Sequence, residues 1–318
     1  MLKTLRHKLY RANYVLAPSL NHKSPIDVSL ELASVCNQRC SYCYHANQAT
    51  LPFKKGMMSL KTAHQIIAQS ADLKVPAIKF NWKGESTLNP HFKEITQFAK
   101  DHATKSTFID RLTNSNFKFS TDNDDIFDGL CNQTKVKVSF DSFIPEVMEK
   151  QRAGSIHAVA LANIDKFYNY KNRKDTEIVI QAVRTSLNKD EDIEKEAKKR
   201  WAHVGVSIRD MVSGRIDNNE VKELENVTRD LSERQSCIQA HARLIFNWDG
   251  KAMPCCPDIG EKLQVGDINS QTVYQIFNSK TAKDLRRSLL DKSAFTKDPC
   301  KSCPSFESFK GYRPNWKS

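Results

Sequence analysis

An α/β fold built on a parallel sheet is what this 318-residue sequence predicts, on two observations. Along residues 26–212, strand-like segments rich in apolar and β-branched residues alternate with segments of helical periodicity, and the residues with chemical potential fall just after the strands. Strand–helix–strand alternation in one sheet implies parallel strands joined by right-handed crossovers. In barrels and open α/β sheets ligands bind at the C-terminal strand ends, so independent segments converge on one mouth. The chain is long enough to bury a full core as one large domain or two modest ones.

Val28 to Val35 reads as the first strand by its apolar content. Ser59 opens a helix whose Ala63, Ile66, Ile67 and Ala71 recur at helical spacing. Ala77 to Asn81 is the next strand and delivers Gly84 and Glu85 at its end. A helix over Pro90 to Asp101, a strand over Thr107 to Leu112, a helix over Asp122 to Asn132 and a strand over Lys135 to Phe140 follow. The alternation continues with helix Ile156 to Tyr170, strand Glu177 to Val183, helix Glu191 to Trp201 and strand Val204 to Ile208. Arg184, Arg209 and Asp210 fall at strand ends and are expected to face the mouth, although each reads equally well as a surface charge. Asp190 to Arg200 carries both signs of charge at helical spacing, the pattern of an exposed helix face. Ser213 to Arg234 is polar and lacks apolar periodicity. Beyond it, Leu244 to Phe246, an Asp249-Gly250 turn and Lys251 to Met253 form a β-hairpin pattern ending at Cys255 and Cys256. The expected organisation is a basic extension (1–25), the main α/β unit (26–212), a bridging segment (213–234), a cysteine-bearing α+β unit (235–305) and a basic aromatic tail (306–318).

The hydrophobic share of 39% with mixed charge fits a globular chain rather than a disordered one. No apolar run approaches the roughly 18–20 residues needed to cross a bilayer, so no membrane association is expected. The N-terminus alternates apolar and basic residues, unlike a secretory signal. Nine cysteines, an odd number, point to a reducing compartment, and a cytoplasmic, oxygen-sensitive protein is expected. Net charge is +12, with Lys3, Arg6, Lys8, Arg11 and Lys23 unopposed before Asp27 and Lys310, Arg313 and Lys317 interleaved with Tyr312 and Trp316. Such interleaving is compatible with nucleic acid. A solvated basic face, or a dock for an acidic redox partner, is the favoured reading.

Cys36, Cys40 and Cys43 place three thiols within eight residues. A zinc knuckle needs four ligands, typically as paired C-x2-C units, and fits this spacing poorly. A four-iron cubane held by three cysteines keeps one iron open for another ligand. Cys237, Cys255, Cys256, Cys300 and Cys303 form a second set, for which zinc is the competing occupant of a hairpin-plus-C-x2-C frame. Cys131 sits among Ile126, Phe127 and Leu130 and reads as a small core hydrophobe. No P-loop, G-x-G-x-x-G, H-E-x-x-H or G-x-S-x-G motif occurs.

The run Cys36-x3-Cys40-x-Tyr42-Cys43 resembles the signature of the radical S-adenosylmethionine (SAM) enzymes. That resemblance implies a partial (β/α)6 barrel, a 4Fe-4S cluster on Cys36, Cys40 and Cys43, and SAM chelating the open iron with Tyr42 near its adenine. Further matches are Lys83-Gly84-Glu85 for the family's Gly-Gly-Glu, Thr113-Asn114-Ser115 for Thr-Asn-Gly, and VKVSFD from Val136 to Asp141, followed by Arg152 and Gly154. They imply Gly84, Glu85, Asn114 and Ser139 as SAM-binding residues. Lys83 replaces a glycine, which raises the question of the local backbone, since glycine alone tolerates positive φ freely. The pattern Cys237-x12-Gly250-x4-Cys255 with Val265-Gly266-Asp267-Ile268 resembles the SPASM and twitch extensions. It implies one auxiliary 4Fe-4S cluster on Cys237, Cys255, Cys300 and Cys303, with Cys256 spare.

The family's chemistry implies reductive cleavage of SAM to a 5′-deoxyadenosyl radical, which takes a hydrogen atom from a substrate in the mouth. An auxiliary cluster with full protein ligation suits electron transfer, so a net oxidation is expected, with Arg152 or Asp141 as proton acceptor. The expected partners are an acidic electron donor such as flavodoxin or ferredoxin and a small-molecule or peptide substrate. The alternatives are peptide or RNA modification by crosslinking or epimerisation, with Cys256 as hydrogen donor, and a non-catalytic metal-stabilised nucleic-acid binder. Only about 26 residues precede the first strand, few for a leading peptide-binding domain.

Overall fold

The computed structural model describes residues 2–117, 124–210 and 237–303. The bridging segment 213–234, the tail 306–318 and Asp122 lie outside the described residues. Strands β1 (Asp27–Leu30), β2 (Arg39–Cys40), β3 (Ala77–Lys79), β4 (Phe108–Thr113), β5 (Lys135–Ser139), β6 (Arg152–Ala153), β7 (Glu177–Arg184) and β8 (Gly205–Asp210) are followed by β9 (Arg243–Phe246), β10 (Lys251–Met253) and β11 (Gly266–Asp267). Nine of them form one sheet in the order β11-β10-β9-β1-β3-β4-β5-β7-β8. The pairs from β1 to β8 are parallel, as the alternation predicted. The sheet does not close, which is the form of a partial barrel. Helices α1 (Leu2–Val15), α2 (Leu60–Asp72), α3 (Phe92–His102), α4 (Asp124–Cys131), α5 (Pro145–Gln151), α6 (His157–Tyr168) and α7 (Ile193–Arg200) complete the main unit.

Local chemistry accounts for most boundaries. Ser59 caps α2 by accepting a hydrogen bond from the Thr62 amide at 3.1 Å. The first strand ends at Leu30 rather than Val35, because the chain leaves the ladder there and Ala33 bridges instead to Met57. Helix α5 and the two-residue pair β2–β6 have no counterpart in the sequence-based reading; both are too short to carry periodicity. The hairpin β9–β10 is where expected, but β9 joins the main sheet, pairing in parallel with β1 over Asp27↔Arg243 to Leu30↔Phe246. The second cysteine set is thereby tied to the edge strand of the main unit.

Strand residues alternate between two faces. Val28, Leu30, Ile78, Ile109, Val136 and Ile180 pack outward with the helices in the main core. Each buried side chain of this size contributes about 1.5–3 kcal/mol. The opposite, inner face carries Asp27, Lys79, Asp110, Lys137 and Arg243 by register. Helix α1 closes its base. Tyr10 donates to Asp27 Oδ2 at 3.1 Å, and Tyr10 and Tyr14 form a separate apolar cluster with Ile26, Ala77 and Ala242. Asp27 is fully buried and pairs with both Lys79 and Arg243. Burial pushes its carboxyl up, but the two cations outweigh that and hold it well below the usual carboxylate range.

Removing one partner of a buried ion pair strands the other charge. Asp27→Ala, which leaves Lys79 and Arg243 uncompensated, is expected to lower stability by about 3–5 kcal/mol, read from urea unfolding. A loss below about 1 kcal/mol, the value of a surface pair, would show that the base of the sheet does not depend on this group.

Candidate functional site

The cysteine loop follows β1. Cys40 lies in β2, which pairs with β6 through Arg39↔Ala153 and Cys40↔Arg152. Gly154 is held at φ +85°, and a Cβ there would stand 3.1 Å from the Asn37 carbonyl, so the glycine at this position meets both a conformational and a steric need. Cys36 Sγ accepts from the Gln38 amide at 3.5 Å and from Asn114 Nδ2 at 3.7 Å, and Cys40 Sγ lies 3.6 Å from an Arg152 guanidinium nitrogen. Cys36, Cys40 and Cys43 lie within electrostatic reach of one another. Burial pushes the Cys36 thiol up to about 12 and the Cys40 thiol to about 11. Thiolate ligands in such surroundings need a bound metal's charge. None of the nine cysteines, all described, is in a disulfide.

Gly84 sits where two backbones nearly touch. A Cβ on it would lie 2.4 Å from the carbonyl oxygens of both Ala33 and Val35. Its φ is not positive, so close approach rather than conformational freedom demands the glycine. Lys83 also avoids the left-handed region, which answers the question raised by its replacing a glycine. The residue that does adopt φ 63° is Ser115, at the position of the family's glycine in Thr-Asn-Gly. Its strain is offset by hydrogen bonds from Ser115 Oγ to the Ser139 carbonyl at 3.1 Å and from Asn163 Nδ2 to the Ser115 carbonyl at 3.0 Å.

Glu85 is buried and heavily bonded. Its Oε1 pairs with Arg111 and accepts from the Thr87 amide at 3.0 Å, Thr87 Oγ1 at 2.9 Å and Thr113 Oγ1 at 3.1 Å. Its Oε2 accepts from the Asn114 amide at 2.8 Å. One carboxylate thus joins the end of β3 to the end of β4. Sequence reasoning missed Arg111, a lone cation at an outward-facing position of β4. It is fully buried against Phe92, with its guanidinium carbon 4.6 Å from the ring centroid.

Asp141 and Arg152, expected as proton acceptors, are committed to each other. Arg152 grips Asp141 through Nε at 2.7 Å and a terminal nitrogen at 3.1 Å. Asp141 also accepts from Tyr42 Oη at 2.6 Å, Gln151 Nε2 at 2.9 Å and the Val183 amide at 2.9 Å. A carboxylate with five donors has no lone pair waiting for a proton, so this pair positions Tyr42 and Cys40 instead. Arg184 likewise does not face the mouth: it lies on the helix side and bonds the Lys189 carbonyl at 3.3 Å. Arg209 is on the inner face by its register with Val183, while the Asp210 side chain lies outside the described residues.

In the second set, Cys237 precedes the helix Ile238–Ala242 and lies within electrostatic reach of Cys300 and Cys303. Cys255 lies within electrostatic reach of Cys237 and Cys256, and Cys256 within that of Arg243. Among the described residues no three His, Cys, Asp or Glu side chains converge tightly enough for a single metal ion. The C-terminal unit is fastened to the loop that follows β3. Trp82 Nε1 donates to the Cys256 carbonyl at 3.0 Å, and the buried Lys83 pairs with Glu31 at 3.4 Å and with Glu261 of the C-terminal unit. Lys83 Nζ is also 4.0 Å from the Trp82 ring centroid and 4.7 Å from that of Phe53. Nothing in the local sequence pattern marks Trp82, Glu31 or Glu261 for this role.

Residues 237–304 match the SPASM family, described as an iron–sulfur cluster-binding domain. No curated protein matches by sequence. Three solved structures share the fold. BtrN in complex with AdoMet and 2-DOIA has a TM-score of 0.57 at 17% identity, over 87% of this chain and 92% of that one. Native anSMEcpe with bound AdoMet has a TM-score of 0.62 at 15% identity, over 88% and 86%. Streptococcus suis SuiB bound to S-adenosylmethionine has a TM-score of 0.59 at 10% identity, over 83% and 68%. No described helix is long and apolar enough to cross a membrane.

Two outcomes follow from this geometry. Glu85→Ala leaves Arg111 buried without its counter-charge and is expected to cost about 3–5 kcal/mol in urea unfolding; a near-neutral result would reduce Glu85 to a surface-like contact. Burial raises the Glu31 carboxyl from 4.5 to about 7. The folded state therefore favours the protonated form, and stability falls as pH rises from about 4.5 through 7. Glu31→Gln should flatten that part of the pH–stability curve, and an unchanged slope would assign it to other groups.

Proposed function

We propose, for a chain that carries the radical SAM fold and a SPASM iron–sulfur extension, that it is a SAM-dependent oxidoreductase. In this reading the substrate is held at the C-terminal strand ends and is oxidised, and an auxiliary cluster on Cys237, Cys255, Cys300 and Cys303 would supply the electron acceptor. When bound, the SAM-binding 4Fe-4S cluster supplies the reductive cleavage of SAM and with it the hydrogen-abstracting radical. Cys36, Cys40 and Cys43 hold that cluster, with Gln38, Asn114 and Arg152 directing donors at its sulfurs, contacts that tune such clusters. Tyr42, held by Asp141, would meet the adenine of SAM, Gly84 and Glu85 would receive its amino end, and Asn114 and Ser139 would line the rest of the cofactor site. Glu85 also sets this site by bonding the Asn114 amide. Cys237, Cys255, Cys300 and Cys303 hold the auxiliary cluster.

The observation that carries the oxidation reading is the Trp82–Cys256 hydrogen bond. It joins the loop that leads into Gly84 directly to the residue after Cys255, so the second cluster's peptide frame is built onto the SAM-binding loop. The net charge of +12 suits an acidic electron donor of the flavodoxin or ferredoxin kind, in the cytoplasm. A peptide substrate is the second reading. It is favoured by two structures of this fold with peptides bound, anSMEcpe with the Cp18Cys peptide and SuiB with precursor peptide SuiA, whereas BtrN is seen with the small molecule 2-DOIA.

Anaerobically reconstituted protein is expected to hold about eight irons, from two four-iron clusters, and to turn SAM into methionine and 5′-deoxyadenosine with dithionite. Replacing Cys36, Cys40 and Cys43 together by Ala should remove about half the iron and all SAM cleavage. Intact SAM after incubation with a fully reduced, iron-replete protein would refute the enzyme reading.

A further inference from the structure

The inner face of the sheet carries more positive charge than its own carboxylates neutralise. At its base Lys79 and Arg243 share Asp27, while Lys135 pairs with Glu177 at 3.0 Å. Lys137, in the middle of β5, has among the described residues a single contact of this kind, Asp110 Oδ2 at 3.5 Å, longer than a good hydrogen bond. The other charged groups that act on Lys137 are Lys79, Arg209 and Lys135, all cations. Burial pushes its ammonium below the ordinary lysine value; Asp110 opposes that shift and the three cations add to it. Its side chain is still 28% exposed, so Lys137 is reachable from solvent.

The row above Lys137 is polar and unoccupied by internal bonding. Ser139, Gln181 and Ser207 lie side by side in register on β5, β7 and β8, about 4.8 Å apart from strand to strand. Their side chains carry donors, and among the described residues none of the three makes a side-chain hydrogen bond. Asp110 belongs to the row below, in register with Lys79 and Lys135. An incoming group therefore meets Lys137 and the neutral donors before it meets the carboxylate.

We infer that this mouth-side half of the inner face binds an anionic group of the substrate, a carboxylate or a phosphate, with Lys137 as its cation and Gln181 and Ser207 as neutral donors. A cation paired only at 3.5 Å and surrounded by other cations in partly desolvated surroundings is costly, and an anion both lowers that cost and gains charge-assisted hydrogen bonds. Lysine serves such groups as a compact point charge with three donors. The inference rests on reading the mouth as the substrate site, and it narrows the substrate to acids or phosphate esters.

The test uses the reconstituted holoprotein with inorganic phosphate and malonate as probes, each titrated at constant ionic strength against sodium chloride. A specific site raises the thermal midpoint saturably with probe concentration, whereas the general salting effect of these anions acts on every variant alike. The apparent Kd is expected to weaken at least tenfold in Lys137→Gln and several-fold in Gln181→Ala. Lys137→Arg should keep most of the effect, and Lys280→Gln, on an exposed helix, should be unchanged. A preference between phosphate and malonate identifies the anionic group. No saturable rise in the wild type beyond the chloride control, or an equal rise in Lys137→Gln, would overturn the proposal. 5′-Deoxyadenosine formation without substrate, measured on the same preparations, reports the SAM reaction separately and should survive in Lys137→Gln.

Discussion

The close approach of Gly84 to the chain leaving β1 is the constraint on which the site depends. Two peptide segments meet so tightly that a single added carbon would fall 2.4 Å from the Ala33 and Val35 carbonyls. The contact is sealed by the Glu85 amide donating to the Val35 carbonyl at 2.9 Å. That places the cysteine loop and the Glu85 carboxylate on one rigid frame. From there Glu85 reaches Arg111, Thr113 and the Asn114 amide, and Asn114 reaches Cys36. The chain of contacts runs from core to sulfur without a mobile link, the preorganisation that positioning chemistry requires.

A second frame holds the opposite side of the cysteine loop. Asp141 and Arg152 form a buried bidentate pair that fixes Tyr42 and points a guanidinium nitrogen at Cys40. Burying such a pair contributes little net stability, because desolvation offsets the attraction. Its value is geometric: it fixes β2 against β6 and holds the aromatic ring at one orientation. A group so fully bonded is poorly suited to exchange protons with a substrate.

The C-terminal cysteines enter this arrangement through the edge of the sheet. Without β9, strand β1 would present an unpaired edge, and pairing the hairpin there satisfies the backbone while anchoring the C-terminal unit on the main sheet. Lys83, placed where a glycine is usual, turns a backbone position into a clamp: its ammonium is held by Glu31 and Glu261 and lies against the rings of Trp82 and Phe53. The substitution thus exchanges local flexibility for attachment of the extension.

The sequence by itself determined the strand–helix alternation, the parallel sheet, both cysteine sets and the loops on which Gly84, Glu85, Asn114 and Asp141 stand. Each is written locally, in a period of two or of 3.6 residues or in a spacing of a few positions. Strand ends were legible less well, as Leu30 shows, because a strand stops where its neighbour stops pairing. Tertiary structure alone decided that β9 extends the main sheet, that α1 closes its base, and that Glu85 answers a buried Arg111. It also decided that Asp141 answers Arg152, and that Lys137, Gln181 and Ser207 share one face. These depend on register between strands far apart in the chain and on charges paired across the core. Local periodicity can place a residue on a face, but only the packed sheet selects which residue stands opposite it.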